Sequence, residues 1–346
     1  MPRMTGRHGG AWVGHIDRCQ ICGRKPLVPV LSFGHMPRVH GHLRPDQLHE
    51  PETRYPLDLH RCPRCKLVQI DYAVDPKVLF PSDYPYHTGT TNMLVRNFRA
   101  LAEQVAARHR LGPDDLVVDI GSNDGTLLSG FKARGTRVLG IEPTDNARLA
   151  NRRGIRTLRT FFSTRVARGI VRGHGRARVV TATNVFAHVN DLFGFLAGVK
   201  TLLARDGVFI SESQYLRDVV ETCAFDTFYD EHLRYYTLGP LAFLFPRVGM
   251  SLVDAERTPA AGGSIRVYAQ AGLKPMSRRA RALMAEEARL GLHDPAVLRK
   301  FADDALRAKH ALLALLLRIR RKGGRIASVG APGRSNTLLN FARVDH

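Results

Sequence analysis

What this chain of 346 residues lacks narrows the possibilities first. No apolar run approaches the ~18 residues needed to cross a bilayer. The richest, Ala311–Leu317, is short and flanked by Lys309, Arg318, Arg320 and Arg321, so it reads as a buried helix segment. No apolar core precedes a small-residue cleavage site near the N-terminus, which argues against a secretory signal and for the cytoplasm. Internal repeats and low-complexity tracts are missing, and a composition of 44% hydrophobic and 24% charged residues excludes disordered and collagen-like classes. Acids are scarce, with 31 Asp plus Glu against 52 Lys plus Arg and a formal net charge of +21. Few of those cations are lysines, and the stretch from Arg148 to Arg178 holds ten Arg and no acid. That stretch has three readings: a solvated helix face in an arginine-biased sequence, an RNA surface driven by counterion release, or a site for an acidic, phosphorylated small molecule. Charge bears on association and solubility rather than on fold.

Cysteine is scarce too, with five in all, yet four of them form two pairs, Cys19-Gln-Ile-Cys22 and Cys62-Pro-Arg-Cys65. Two C-x-x-C knuckles supply the four soft thiolates of a closed tetrahedral zinc site. A redox C-x-x-C belongs at the start of a helix beside a βαβ pattern and does not come in duplicate, and disulfides are disfavoured in the cytosol. A closed site leaves no open position for water, so the zinc predicted here is structural. Cys223 is left over and reads as a buried apolar residue. His35, His40, His42, His49 and His60 lie at spacings matching no common ligand pattern. They read as ordinary surface or packing residues.

Length predicts two or three domains. Residues 1–15 read as a disordered tail and residues 16–85 as a small zinc-binding domain with short strands such as Lys66–Tyr72. Residues 86–274 form an α/β domain, and residues 275–346 a helical linker with the start of a further α/β unit. A helix is predicted over Thr91–Arg108, then strands Leu116–Ile120, Arg137–Ile141, Ile155–Phe162, Ala177–Val185 and Gly207–Ser211. Helices fall between them, including Asp191–Ala204. Such alternation argues for a parallel sheet covered on both faces. Ser251–Ala255 and Ser264–Gln270 close it as an antiparallel hairpin. Residues from Pro275 to Lys322 read as helical, and Arg325–Val329 as a strand leading into a Gly330–Asn336 turn.

The first strand runs into Asp119-Ile-Gly121-Ser-Asn123-Asp124-Gly125-Thr126. Gly121 and Gly125 are four apart with none between, so this is not the dinucleotide fingerprint G-x-G-x-x-G. A pyrophosphate wants bare amides at a helix N-terminus, whereas this turn is acidic. Asp119 and Asp124 suit a cationic cofactor without phosphate, as S-adenosylmethionine is. Glu142, ending the second strand, can take two hydrogen bonds from ribose hydroxyls. The pattern resembles the class I methyltransferase signature, with its Rossmann-like sheet. After the fifth strand, Tyr229-Asp230-Glu231-His232 places an acid–base set at the carboxyl edge of that sheet, where ligands bind in open α/β folds.

Taken together, the chain resembles the zinc-containing C-methyltransferases that act at C-3 of nucleotide-linked 4-keto-6-deoxy sugars in deoxysugar biosynthesis. The matching elements are the two knuckles, Tyr84-Pro85-Tyr86, the Asp119–Gly125 loop, Asn184-Val-Phe-Ala-His188-Val189 and Tyr229-Asp-Glu231-His232. Gly262-Gly-Ser-Ile-Arg266-Val-Tyr268 and Gly330–Asn340 complete them. The resemblance implies S-adenosylmethionine held by Asp119, Gly121, Asn123, Asp124, Gly125, Glu142 and Asn184. It implies His232 as the base that removes the proton alpha to the ketone, supported by Glu231, with Tyr229 at the sugar. Tyr86, His188 and Arg266 become substrate contacts, although Tyr86 and His188 read equally as packing. Two departures stand out: Asp230 replaces the family's usual His, and the family continues well beyond Asn340. The alternative is therefore a truncated, inactive homologue that binds zinc and cofactor. Charge alone favours an RNA methyltransferase, but the strand end Asn184-Val-Phe-Ala lacks the N-P-P-Y motif and no Pro-Cys nucleophile is present.

Overall fold

A computed structural model describes residues 12–330 and 332–344. The first part holds strands β1 (Gly14–His15), β2 (Val28–Pro37), β3 (Arg54–Arg61), β4 (Val68–Ile70) and β5 (Tyr72–Ala73), and the short helix α1 (Pro76–Leu79). The α/β part begins with helix α2 (Asn92–His109). It continues as β6 (Leu116–Ile120), α3 (Thr126–Lys132), β7 (Arg137–Ile141), α4 (Asn146–Arg152), β8 (Thr157–Leu158), α5 (Thr164–His174), β9 (Ala177–Thr183), α6 (Leu192–Leu202) and β10 (Leu203–Gln214). Then follow α7 (Leu216–Glu221), β11 (Arg234–Tyr235), α8 (Leu238–Leu244), β12 (Met250–Thr258) and β13 (Ser264–Ala271). Helices α9 (Arg278–Arg289), α10 (Pro295–Arg321) and α11 (Gly333–Ala342) complete the chain.

Seven strands form one sheet in the order β12-β13-β10-β9-β6-β7-β8. The pairs among β6 to β10 are parallel, and β13 runs antiparallel to both β10 and β12. All five residues of β6 are buried, as a central strand covered on both faces requires. Helix α2 turns Leu94, Phe98, Leu101, Ala102 and Val105 inward at a spacing of three to four and covers one face. Strand order reverses on either side of β6, so the carboxyl ends of β6, β7 and β9 open a crevice at the switch point.

The zinc-module sheet has the order β11-β4-β3-β2, and its edge strand β11 comes from the segment predicted to be catalytic. Arg234 pairs with Gln69 and Tyr235 with Val68. A second core is therefore common to three stretches of chain. Leu31, Phe33 and Leu57 come from the zinc module, Phe225 and Phe228 from the catalytic segment, and Phe301 and Phe341 from the terminal helices. Helix α11 docks there through Phe341, whose ring centroid lies 4.9 Å from Phe33 and 5.6 Å from Phe225. Thr337 Oγ1 donates to the Phe228 carbonyl at 2.6 Å.

Several expectations are corrected. Of the predicted tail, residues 1–11 lie outside the described residues. Beyond them the chain is already tied down, since the Trp12 amide donates to the Asn190 carbonyl and β1 pairs with β5. Arg325–Val329 forms no strand: it finds no ladder partner among the described residues, and an unpaired strand leaves its backbone groups to water. The predicted strand Ile155–Phe162 shrinks to Thr157–Leu158 at the sheet edge, because Phe161 and Phe162 turn toward the crevice. Cys223 is only half-buried, at the margin of the second core. No helix among the described residues is long and apolar enough to cross a membrane.

Candidate active site

The four knuckle cysteines converge as spacing predicted. The Sγ atoms of Cys19, Cys22, Cys62 and Cys65 all lie within 4.8 Å of one another, and all four residues are buried. Cys19–Cys65 and Cys22–Cys62 stand at 3.3 and 3.4 Å between sulfurs. The amides of Ile21 and Cys22 point at Cys19 Sγ (3.4 and 3.5 Å), and that of Arg64 at Cys62 Sγ (3.4 Å). Amides aimed at sulfur stabilise thiolates, the form a metal requires. The donor set fits zinc, with Cys19, Cys22, Cys62 and Cys65 as its ligands.

A cavity of about 1090 Å³ opens at the carboxyl ends of the parallel strands. Asp119, Gly121, Asn123, Glu142 and Asn184 line it together with Tyr86, His188, Tyr229, Glu231 and His232. Glu142 is buried, accepting from the Asn123 amide (3.0 Å), the Thr144 amide (3.0 Å) and the Thr144 hydroxyl (2.7 Å). Asp119 accepts from Thr181 Oγ1 at 2.6 Å, and burial pushes its carboxyl up to about 7. At Asn184 the backbone turns left-handed (φ 55), with its amide on the Glu212 carbonyl at 2.7 Å.

His232 is buried at the cavity wall, and its Nδ1 faces the Thr227 carbonyl at 3.3 Å. A carbonyl only accepts, so the proton sits on Nδ1 and the Nε2 lone pair is left free. Burial draws this imidazole down to about 3, keeping it neutral. Its ring lies 4.1 Å from that of Tyr229 and 4.7 Å from that of His188. Thr227 also accepts the Tyr235 hydroxyl at 2.9 Å, which fixes the carbonyl that orients His232.

Three families of known domains match the chain in succession: a zinc binding domain over residues 19–80, a methyltransferase domain over 93–255 and a C-methyltransferase C-terminal domain over 259–346. Over 334 residues it is 34% identical to C-methyltransferase NovU of Streptomyces niveus, covering 96% of this chain and 79% of that protein. The chain belongs to the zinc-containing C-methyltransferase family. It is an S-adenosylmethionine-dependent methyltransferase. Solved structures similar to it include a methyltransferase from Clostridium acetobutylicum (12% identity, 52% of this chain and 92% of that one, TM-score 0.41). Another is a Synechocystis magnesium protoporphyrin IX methyltransferase with bound SAM (15%, 58% and 99%, TM-score 0.41).

The crevice of this methyltransferase suits its cofactor chemically. Two carboxylates, Asp119 and Glu142, end adjacent strands, and Ser122 Oγ and Gln214 Oε1 are buried there without partners. Gly121 lets the loop pass close to its neighbour. It sits at φ +70, and a Cβ would meet Val185 Cγ2 at 2.4 Å. Gly121→Ala is expected to cost on the order of 1–3 kcal/mol, read as a lowered Tm together with weakened cofactor binding by calorimetry.

Three sequence assignments fall outside the cavity wall. Asp124 turns away, accepting from the Gly89 amide (2.9 Å), the Thr126 hydroxyl (2.6 Å) and Arg153 Nη1 (2.9 Å). Its acidity, read as cofactor chemistry, instead pins the Thr88–Thr90 turn to the loop. Gly125 caps α3 in a left-handed conformation, packed where a Cβ would touch Ile155 at 3.1 Å. Arg266 is spent on the sheet: its guanidinium bonds Glu212 (2.8 Å), Glu256 (3.2 Å), Gln104 (3.1 Å) and Asn97 (3.3 Å). A buried cation so fully paired has nothing left for a substrate.

Glu231 also differs from expectation. It is hydrogen-bonded not to His232 but to Tyr84, whose hydroxyl lies 3.3 and 3.1 Å from its two oxygens. His188 Nδ1 stands 3.8 Å from Oε2, and His40 Nε2 stands 4.0 Å from Oε1. Burial lifts the Glu231 carboxyl well above its ordinary range. Tyr84, quoted only as part of a motif, and His40 and His42, read as surface or packing residues, all line the cavity. The signal for Tyr84 was its motif; His40 offered none, because its spacing says nothing of the helix and loop that fold over it.

Proposed function

We propose that this methyltransferase transfers a methyl group to the carbon beside the ketone of a nucleotide-linked 4-keto-6-deoxy sugar, with His232 as the base. The observation that carries this reading is His232 itself. It is a neutral imidazole with Nδ1 committed to Thr227 and Nε2 free, in the same cavity as the strand-end carboxylates. A carbon becomes a nucleophile only by losing a proton, and a neighbouring ketone makes that proton acidic by delocalising the charge onto oxygen. When bound, S-adenosylmethionine supplies the electrophilic methyl group. Asp119, Gly121, Asn123, Glu142 and Asn184 would hold it.

Around the base, Tyr229 packs on the His232 ring and can donate its hydroxyl to a developing enolate oxygen. Tyr86 and His188 flank the acceptor. Lys77 and Arg165 also line the cavity, a cationic rim suited to a sugar nucleotide's diphosphate. Zinc takes no part in the reaction, since its four thiolates close the site. The relative's name, C-methyltransferase, supports transfer to carbon.

The test is turnover of a thymidine diphosphate 4-keto-6-deoxyhexose with S-adenosylmethionine, followed by mass spectrometry and calorimetry. A product heavier by one methylene is expected. Cofactor binding without any methyl transfer, even at high enzyme concentration, would overturn the reading.

A further inference from the structure

Transfer of a methyl group to carbon leaves one proton behind. The electron pair of the broken C–H bond becomes the new C–C bond, and the proton stays on the base. His232 is fully buried, so a second turnover requires that proton to leave. The groups around it form a string toward the surface. His188 meets His232 edge-on at 4.7 Å between ring centroids. His188 Nδ1 is 3.8 Å from Glu231 Oε2, and its Nε2 is buried without a partner. Glu231 Oε1 is 4.0 Å from His40 Nε2. The His40 ring stacks on that of His42 at 6.3 Å, and His42 is exposed. The 3.8 and 4.0 Å gaps on either side of Glu231 are ones that a bridging water or a small side-chain rotation closes.

We propose that the zinc module supplies the proton exit of the active site, with His40 and His42 carrying the proton from Glu231 to solvent. This rests on the enolate reading above. His40 is built for the part by its surroundings. It lies beneath α11, where a Cβ on Gly333 would stand 3.3 Å from His40 Cε1. Tyr84 meets it edge-on at 5.3 Å, and Tyr86 lies 6.2 Å away. The charged and titratable groups facing it are Glu231, Tyr84, Tyr86, His42 and Arg38. Burial, with His42 and Arg38 nearby, draws its imidazole down to about 4, so it rests neutral and gives up quickly any proton it takes. The string runs through side chains from three distant parts of the sequence, and it is complete only because the zinc module closes over the sheet.

Hydrogen exchange separates this role from packing. With S-adenosylhomocysteine in place of the methyl donor, the base removes and returns the acidic proton of thymidine diphosphate 4-keto-6-deoxyhexose in D2O. Deuterium enters the sugar only if the original proton escapes. In His40→Ala, exchange is expected to fall roughly tenfold or more and to recover on adding imidazole. The exposed variant His42→Gln, which leaves folding untouched, is expected to slow exchange in the same direction and by less. Exchange at the native rate in both variants would overturn the proposal. So would a loss in His40→Ala that imidazole does not restore and that parallels loss of sugar-nucleotide affinity. If the native enzyme neither exchanges nor methylates the sugar, the enolate reading fails; if it does both, only the relay is at stake.

Discussion

His232→Ala is expected to lower methyl transfer by roughly 10²–10⁴-fold while leaving the affinity for S-adenosylmethionine near that of the native chain. The size follows from removing a neutral, buried imidazole whose orienting nitrogen is already fixed, at 3.3 Å from the Thr227 carbonyl. The separation of effects follows from geometry. The ring touches Tyr229, His188 and Tyr235, whereas the strand-end acids are held elsewhere, Asp119 by Thr181 and Glu142 by Asn123 and Thr144. Paired measurements of turnover and of cofactor affinity by calorimetry check it. Equal loss of both would make His232 a structural residue.

The same residue sets a pH signature. Its folded value, about 3, lies below the unfolded value of 6.5. As pH falls below about 6.5, the unfolded chain binds a proton that the folded chain refuses. The stability His232 contributes is therefore present above that pH and lost progressively toward pH 3. His40 and His109, each drawn down to about 4 chiefly by burial, act in the same direction and over nearly the same window. In activity, the acid limb of kcat/KM is expected well below the ordinary imidazole value of 6.5, toward the folded value of about 3.

Stripping the zinc, or replacing Cys62 with Ser, is expected to unfold the zinc module and to abolish turnover with it. Apparent binding energies of structural zinc run to about 10 kcal/mol, comparable to the whole stability of a domain. The loss would not stay local. The knuckle cysteines and Leu67 belong to the same core as Val118, Val180 and Phe209 of the large sheet. The module's sheet borrows β11 from the catalytic segment, and Arg234 of that strand is buried with its guanidinium on Gln20, Tyr236 and the carbonyls of Phe186 and Val189. Freed from β4, that strand no longer holds the turn carrying Tyr229, Glu231 and His232. Metal content, far-ultraviolet circular dichroism and turnover, followed together during chelation, test this. A metal-free protein that keeps its cooperative unfolding and its activity would refute it.

Much of the architecture was legible because its determinants are local. The run Leu116–Ile120 announces a doubly covered strand, and two C-x-x-C pairs announce a tetrahedral site wherever the chain folds. The acid at the end of the second strand follows from period and position. The charged residues that the structure places differently are ones whose charge needs a partner far away in sequence. Asp124 answers Arg153 and the Gly89 amide, Arg266 answers Glu212, and Glu231 answers Tyr84 rather than its neighbour His232. A charged side chain in a motif says that it will be compensated, but not by which group. Arg325–Val329 has the composition of a strand, yet a strand exists only with a ladder partner.

The sequence by itself therefore determined the class of sheet, the four cysteines that converge as metal ligands and the strand-end acids of the cofactor crevice. Each depends on residue type at fixed short spacing. Only the tertiary structure decided which ionisable groups share the cavity. The hydroxyl of Tyr84 on Glu231 and the arrival of His40 from the zinc module result from packing between segments roughly 150 to 190 residues apart in the chain. Burial there shifts proton affinities by desolvation, an effect that no spacing within a motif encodes.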